Sequence, residues 1–232
     1  MRLGAIVTLL RVDIPGLLGA SELFEHFQPE ALEAIAAESR LVAFDRNHRI
    51  FGEGDAAEEL YVVHTGRVAI ANRSPDGRES VMALMEAGDL FGDMSLFDGL
   101  GRSAEARALE PSQLVRVPYP AVRSQFERHP ELLWAVVAFL SRRLRATDSA
   151  LADAMFLDVT GRTAKRLLAL ADGDDYFRMP LTQEELAGMV GASRERVNKA
   201  IALFVKLGWL EISGRSQYHI IDRPELEARA IS

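Results

Sequence analysis

LTQEELAGMVGASRERVNKAIALFVKLGWLEISGRSQYHIID, residues 181–222, is the stretch on which the fold turns. Thr182 followed three residues later by Glu185 has the form of a capping box, so a helix starts there and covers EELAGMV. Gly191 permits a turn. Ser193 caps a second helix, RERVNKAIALFVKL, which stops at Gly208. Helix, short glycine turn, helix is helix-turn-helix spacing. WLEI and YHII flank SGRS (213–216), which predicts a β-hairpin in the position of a wing.

The second helix carries Arg194, Glu195, Arg196, Asn198 and Lys199 in its first two turns. Val197, Ile201, Phe204 and Val205 are expected to point away from them. Arg can take guanine O6 and N7 together, and Glu can accept from cytosine N4. The pattern therefore fits reading of duplex DNA in the major groove. Thr182 and Ser193, at the two helix starts, complete the set of candidate DNA contacts. The plainer alternative is a winged module for protein contact, with these charges merely solvated.

Upstream, LDVTGRTAKRLLALA (157–171) reads as a helix, and ADGDDYFR (171–178) as an exposed acidic loop, which is either simply solvated, as such loops usually are, or touches RNA polymerase. Before them, HPELLWAVVAFLSRRLRATDSALADAMF runs from His129 to Phe156 without Gly. Leu133, Val137, Leu140, Leu144, Thr147 and Leu151 recur at steps of four and three, a heptad seam. A straight helix of these 28 residues is about 42 Å long, more than a small β-domain can cover. The seam therefore predicts a homodimer. Thr147 is the polar residue in the seam, with Asp148 beside it; such a residue sets register or faces a ligand at the interface.

Residues 16–38 read as helical, with Pro29 opening a second short helix. From Arg40 to about Pro120 the rhythm changes. Turn glycines recur at 54, 66, 77 and 88, between short runs such as LYVV (60–63), RVAIA (67–71), SVMALM (80–85) and QLVRVP (113–118). SPDG (74–77) is a turn by its own chemistry. Many short strands at this spacing predict a jelly-roll type of antiparallel β-domain. The fold class is α+β: an N-terminal β-roll, a long dimerisation helix and a C-terminal winged helix-turn-helix. The boundaries expected are an N-terminal extension at 1–15, the β-roll at 16–128, the dimer helix at 129–158 and the DNA module at 159–232.

Composition narrows the function. The 232 residues are 48% hydrophobic and contain no Cys, which excludes disulfides, thiolate catalysis, zinc-thiolate sites and iron–sulfur clusters. The net charge of −7 argues against a generic nucleic-acid binder. Residues 161–220 nevertheless hold nine Arg and Lys against seven Asp and Glu, so a local basic face remains open there. MRLGAIVTLLRV at the start is too short to span a bilayer and lacks a clean cleavage site. No other stretch is long enough, so a cytoplasmic protein without a membrane partner is expected.

One loop fits none of this punctuation. FGDMSLFDGLGRSAEA (91–106) sets Asp93, three glycines and the pair Arg102–Ser103 close together inside a β-rich segment. It is either a surface turn with a salt bridge or a pocket for something with hydroxyls and a negative charge.

The order β-roll, long helix, winged helix-turn-helix resembles the CRP/FNR family of transcription regulators. GDMSLFDGLGRSAEARAL (92–109) looks like the family's phosphate-binding cassette, LTQEELAGMVGASRERVNKAI (181–201) its recognition motif, and DVTGRTAKRLLALA (158–171) its joining helix. The resemblance covers about residues 16–225. It implies cAMP as an allosteric ligand and no metal. Arg102 would pair with the cyclic phosphate and Ser103 would hydrogen-bond it. Gly92, Met94 and Ser95 would bring backbone amides close, and Asp93 would accept the ribose 2′-hydroxyl. Thr147 and Asp148 would meet the adenine, one from each subunit. Arg194 and Glu195 would read bases in two-fold symmetric sites with GTG-type half-sites.

The departures are Asp93 where the family has Glu, Gly101 where Pro is common, and Asp148 for Ser or Asn. Lys199 stands where Arg is common, and Arg196 where a small hydroxyl residue is. Gly101 is expected to loosen the loop. These leave open weak cAMP binding, another nucleotide or no ligand at all. A cupin-type enzyme would need clustered metal-binding histidines, and the five at 26, 48, 64, 129 and 219 form no HxH pair. A cysteine-dependent redox sensor is excluded, and a structural dimer without DNA would leave the basic helix idle.

Overall fold

A computed structural model describes residues 12–73, 79–214 and 216–231. The SPDG turn and most of the N-terminal extension lie outside the described residues. The chain forms two compact units, one made from residues up to 68 with 85–103 and 107–139, the other from 69–84, 104–106 and 140 onward.

The first unit opens with two short helices, α1 (Ile14–Gly19) and α2 (Pro29–Glu38), separated by turns. Asp13 Oδ1 accepts from the Gly16 N–H at 3.0 Å and caps α1, while Pro29 starts α2 where a missing N–H costs nothing. The strands follow: β1 (Arg40–Phe44), β2 (Arg49–Phe51), β3 (Glu59–Thr65), β4 (Val68–Arg73), β5 (Glu79–Met85) and β6 (Leu90–Phe91). A one-turn helix α3 (Met94–Asp98) precedes β7 (Glu105–Ala108), β8 (Ser112–Pro118) and helix α4 (Tyr119–Arg128). Four strands make an antiparallel sheet in the order β1-β8-β3-β6. Elsewhere β2 neighbours β7, and β4 neighbours β5.

Period-two alternation decides what each face of this sheet does. Leu60 lies opposite Val117 and Val62 opposite Val115. All four are fully buried in one cluster with Ile35 of α2 and Val122 and Phe126 of α4. Tyr61, between Leu60 and Val62, points to the other face, where it stacks on Phe91 at 5.4 Å. That aromatic face holds the candidate pocket.

The long helix starts later than its sequence indicated. His129 has a non-helical backbone (φ −130°, ψ 70°), Pro130–Leu132 form a 3-10 turn, and α5 runs from Leu133 to Phe156. At 24 residues it is still about 36 Å long. Val136 and Phe139 bury one side of its first turns in the core. The seam residues lie on a different side, from 40% exposed at Leu140 to 62% at Leu144, with Leu133, Val137 and Leu151 between. The stripe is therefore not the chain's own core contact.

The second unit contains most of β4 and β5, the first half of β7 and the rest of α5, then α6 (Val159–Ala171), β9 (Tyr176–Arg178), α7 (Gln183–Val190), α8 (Arg194–Leu207), β10 (Leu210–Ser213), β11 (Gln217–Ile220) and α9 (Arg223–Arg229). The wing hairpin is present and has a third strand, in the order β10-β11-β9. Part of ADGDDYFR is thus not a loop: Phe177 pairs with Tyr218, which packs on it at 5.6 Å. Leu167, Leu186, Val197, Phe204, Leu210, Ile220 and Leu226 are buried here. Val205 departs from expectation: it is 43% exposed, because it lies at the edge of the helix face that Val197, Ala200, Ile201 and Phe204 bury. Among the described residues no helix is long and apolar enough to cross a membrane.

Candidate ligand pocket and nucleic-acid interface

The loop of residues 91–106 folds around Arg102, whose side chain is turned inward and only 5% exposed. Its Nη1 donates to the Gly92 carbonyl at 2.9 Å and to the Tyr119 hydroxyl at 3.1 Å; its Nη2 donates to the Glu59 carbonyl at 2.8 Å. The Tyr119 hydroxyl in turn donates to the same Gly92 carbonyl. The guanidinium lies 4.1 Å over the Phe51 ring, with Tyr61 on a further side. A desolvated cation on an aromatic face is stabilised by the ring quadrupole. Arg102 Nε is buried without a hydrogen-bond partner. An orphaned buried donor is costly, so such an atom asks what else it meets.

The glycines explain how the backbone comes so near. Gly92 has φ +76°, and a Cβ there would stand 2.6 Å from Arg102 Nη1. Gly101 does not loosen the loop, contrary to expectation. A Cβ at 101 would stand 2.9 Å from the Gly54 carbonyl oxygen, a backbone atom with little room to give. The reason is a short backbone pairing: Arg102 N–H donates to Asp55 O at 2.9 Å, and Gly54 N–H donates to Arg102 O at 2.8 Å.

Around this centre Asp93 is buried, and Ser95 is buried with its hydroxyl donating to Gly101 O at 3.2 Å. Ser103 is exposed and donates to Met94 Sδ at 3.3 Å. The six loop residues Gly92, Asp93, Met94, Ser95, Arg102 and Ser103 are therefore brought together. Thr147 and Asp148 belong to the other unit, exposed on α5, where Thr147 Oγ1 donates back to Arg143 O at 3.0 Å.

Tyr119, Phe51, Tyr61 and Glu59 were not singled out from sequence. The Glu59 carboxylate accepts from the Tyr61 hydroxyl at 2.9 Å and pairs with Arg116 at 2.6 Å. Burial, and then the neighbouring Glu59 carboxylate, push the Tyr61 phenol up to about 12, so it stays a neutral donor. Burial raises Tyr119 as well. The loop thus gathers a buried cation, an exposed serine hydroxyl and a buried carboxylate.

The second site is α8. The capping box forms as expected: Thr182 N–H donates to Glu185 Oε2 at 2.7 Å, and Glu185 N–H to Thr182 Oγ1 at 3.2 Å. Gly191 closes α7 in the left-handed region (φ +68°), and Ser193 Oγ accepts from Arg196 N–H. Val197, Ala200, Ile201 and Phe204 hold the helix down. Ser193, Arg194, Glu195, Arg196, Asn198 and Lys199 all stand exposed, and so does Thr182. Glu195 is bonded to Lys199 at 2.7 Å, and that bond keeps its carboxyl below the usual range. Both side chains are about three-quarters exposed, 76% and 75%, so the pair opens readily. Among the described residues no His, Asp or Glu cluster is placed to hold a metal ion.

The loop of residues 91–106 and helix α8 both fall within segments that match known families. Residues 16–129 match the cyclic nucleotide-binding domain, and residues 161–229 the Crp-like helix-turn-helix domain. Over 221 residues the chain is 39% identical to the CRP-like cAMP-activated global transcriptional regulator of Mycobacterium tuberculosis (strain ATCC 25618 / H37Rv). That alignment covers 92% of this chain and 98% of that protein. The c-di-GMP responsive global regulator CLP of Xanthomonas campestris is 26% identical with a TM-score of 0.71, covering 83% of this chain and 99% of that one. FixK2 of Bradyrhizobium japonicum, at 21% identity, TM-score 0.76 and coverage of 84% and 98%, shares the fold.

Proposed function

Since this chain belongs to the CRP/FNR family of transcription regulators, we propose that it acts as a homodimer whose binding to duplex DNA is controlled by a cyclic nucleotide held at Arg102. It is read as a cytoplasmic regulator rather than an enzyme, with domains at 16–128, 129–158 and 159–232 and RNA polymerase as a further partner. The observation that carries the proposal is the buried guanidinium of Arg102 with its Nε unbonded. A cation this deep needs a built reason, and an anion reaching the open side of the fork supplies one.

The residues fit such a ligand. Arg102 and the exposed Ser103 hydroxyl suit the cyclic phosphate. The buried Asp93 suits a ribose hydroxyl as acceptor. Thr147 and Asp148, at the polar step of the seam, suit the adenine edge across two subunits. The ligand's role is electrostatic and allosteric: it neutralises Arg102 and biases the α5 packing that spaces two copies of α8. At the DNA, Arg194 and Glu195 are the base readers. Arg196, Asn198 and Lys199 are the positioning contacts, with Thr182 and Ser193 bonding phosphates. cAMP is the nucleotide proposed, on the strength of the M. tuberculosis relative.

One observation favours a second reading, a regulator that works without cAMP or with another small molecule. Three of Arg102's bonds already go to Gly92, Tyr119 and Glu59, so the fork is satisfied on that side without any ligand. Calorimetric titration of the full-length protein with cAMP, and with cGMP as control, separates the two. Saturable binding of cAMP that vanishes in Arg102→Ala supports the first reading. Absence of heat with both nucleotides, in a protein that still binds DNA, establishes the second.

A further inference from the structure

The C-terminal helix α9 lies outside both sites, and its residues hold the two ends of α6. Asp222 Oδ1 accepts from Glu225 N–H at 3.2 Å and Pro224 occupies the first turn, so α9 is properly capped. Leu226 is fully buried and anchors it. From its start, Arg223 Nε donates to Asp175 Oδ1 at 2.8 Å and Nη2 to Asp174 O at 2.9 Å, just beyond the end of α6. From its other end, Arg229 Nη2 donates to Asp158 Oδ1 at 2.5 Å. Asp158 is the N-cap of α6, and the same Oδ1 accepts from Gly161 N–H at 2.8 Å. It is also the second residue after the last of α5, so Arg229 reaches the point where the long helix hands over to the DNA module.

That junction is held from a second direction. Arg162 of α6 donates to Leu157 O at 2.7 Å and to Val190 O at 2.9 Å, so one guanidinium caps the ends of both α5 and α7. Val190 directly precedes the turn into α8. Asp158, gripped by Arg229, thus adjoins Leu157, which Arg162 ties to Val190 at the end of α7, ahead of the turn into α8.

We propose that Arg229 is a positioning residue for DNA recognition: through Asp158 it fixes the α5–α6 junction, and α9 is the staple that delivers it. Its effect on DNA binding rests on the regulator reading above. The staple itself does not.

The test uses the full-length protein with Arg229→Gln, Arg229→Lys, Asp158→Asn and the double variant Arg229→Gln/Asp158→Asn. Asn keeps the cap while removing the charge. Amide hydrogen exchange is read at Gly161, without DNA. Each charge-removing single variant is expected to exchange about tenfold faster there, the double variant no faster than either, and Arg229→Lys near wild type. Additive effects, or unchanged exchange, overturn the staple. DNA affinity is then measured on a fluorescent duplex with inverted GTG half-sites at several salt concentrations. A positioning role gives a several-fold loss with an unchanged salt slope. A slope lower by about 1 marks Arg229 as a phosphate contact instead and overturns the proposal. If the wild-type protein itself ignores the duplex, the regulator reading fails while the exchange result still decides the staple.

Discussion

Two basic regions of this molecule treat charge in opposite ways. Around Arg102 the cation is buried, stacked on Phe51 and bonded to the backbone carbonyls of Gly92 in its own loop and Glu59 on β3. Along α8, five charged or amide side chains stand in solvent, tied at most by the exposed Glu195–Lys199 pair. A buried cation selects a small partner that can enter and match it. A displayed row of cations selects a large partner that brings its own charge to the surface. The comparison teaches that one chain can give the same residue type two opposite solvation states, which the proposed function uses as a sensor and a reader.

The sharpest way to break the comparison is to remove what joins two copies of each region in the proposed homodimer. Leu144→Asp places a charge in the exposed seam of α5. It is expected to give monomers in sedimentation equilibrium and to weaken operator binding by more than 100-fold, since a monomer grips one half-site. Next comes the reader. Arg194→Ala should cost about 1–3 kcal/mol with relaxed base preference, whereas Arg196→Ala should weaken all sequences alike and lower the salt slope by about 1. Anisotropy on matched and mismatched duplexes reads both.

The buried region should respond to shape. Gly101→Ala forces a Cβ to within 2.9 Å of Gly54 O, and a loss of about 1–3 kcal/mol in urea denaturation is expected. The smallest effect is at Asp158. The Gly161 N–H bond first, then Arg229, hold its carboxyl below the ordinary value of about 4. A group depressed in the folded state stabilises above its unfolded pKa and loses that contribution as pH falls through the folded one. The stability difference between wild type and Asp158→Asn should therefore be present at pH 7 and shrink below about pH 4 in denaturation curves.

What was legible in sequence follows from how local each signal is. The Thr182–Glu185 box, the Gly191 turn and the Ser193 cap act within three residues, and all three formed. The long helix was legible because its apolar period persisted over many turns. Strands β2 and β9, three residues each, are too short to show a period, and β9 exists because β11 pairs with it. Tyr119 acts on Arg102 across 17 positions, and Glu59 across 43, so no local pattern announces either. The effect of Gly101 was misjudged for the same reason: its tightness comes from Gly54, distant in the chain. Helix α9 did carry its signals, Asp222, Pro224 and Glu225, but its meaning lay in Asp158 and Asp175, which only folding brings near.

The central claim is that the buried region governs the displayed one. The most direct measurement is anisotropy of a fluorescent duplex with inverted GTG half-sites, titrated with the full-length protein with and without saturating cAMP. The account predicts at least a tenfold tightening with cAMP that disappears in Arg102→Ala. Coincident curves for a protein that binds the duplex well would contradict it, leaving a reader that the buried arginine does not control.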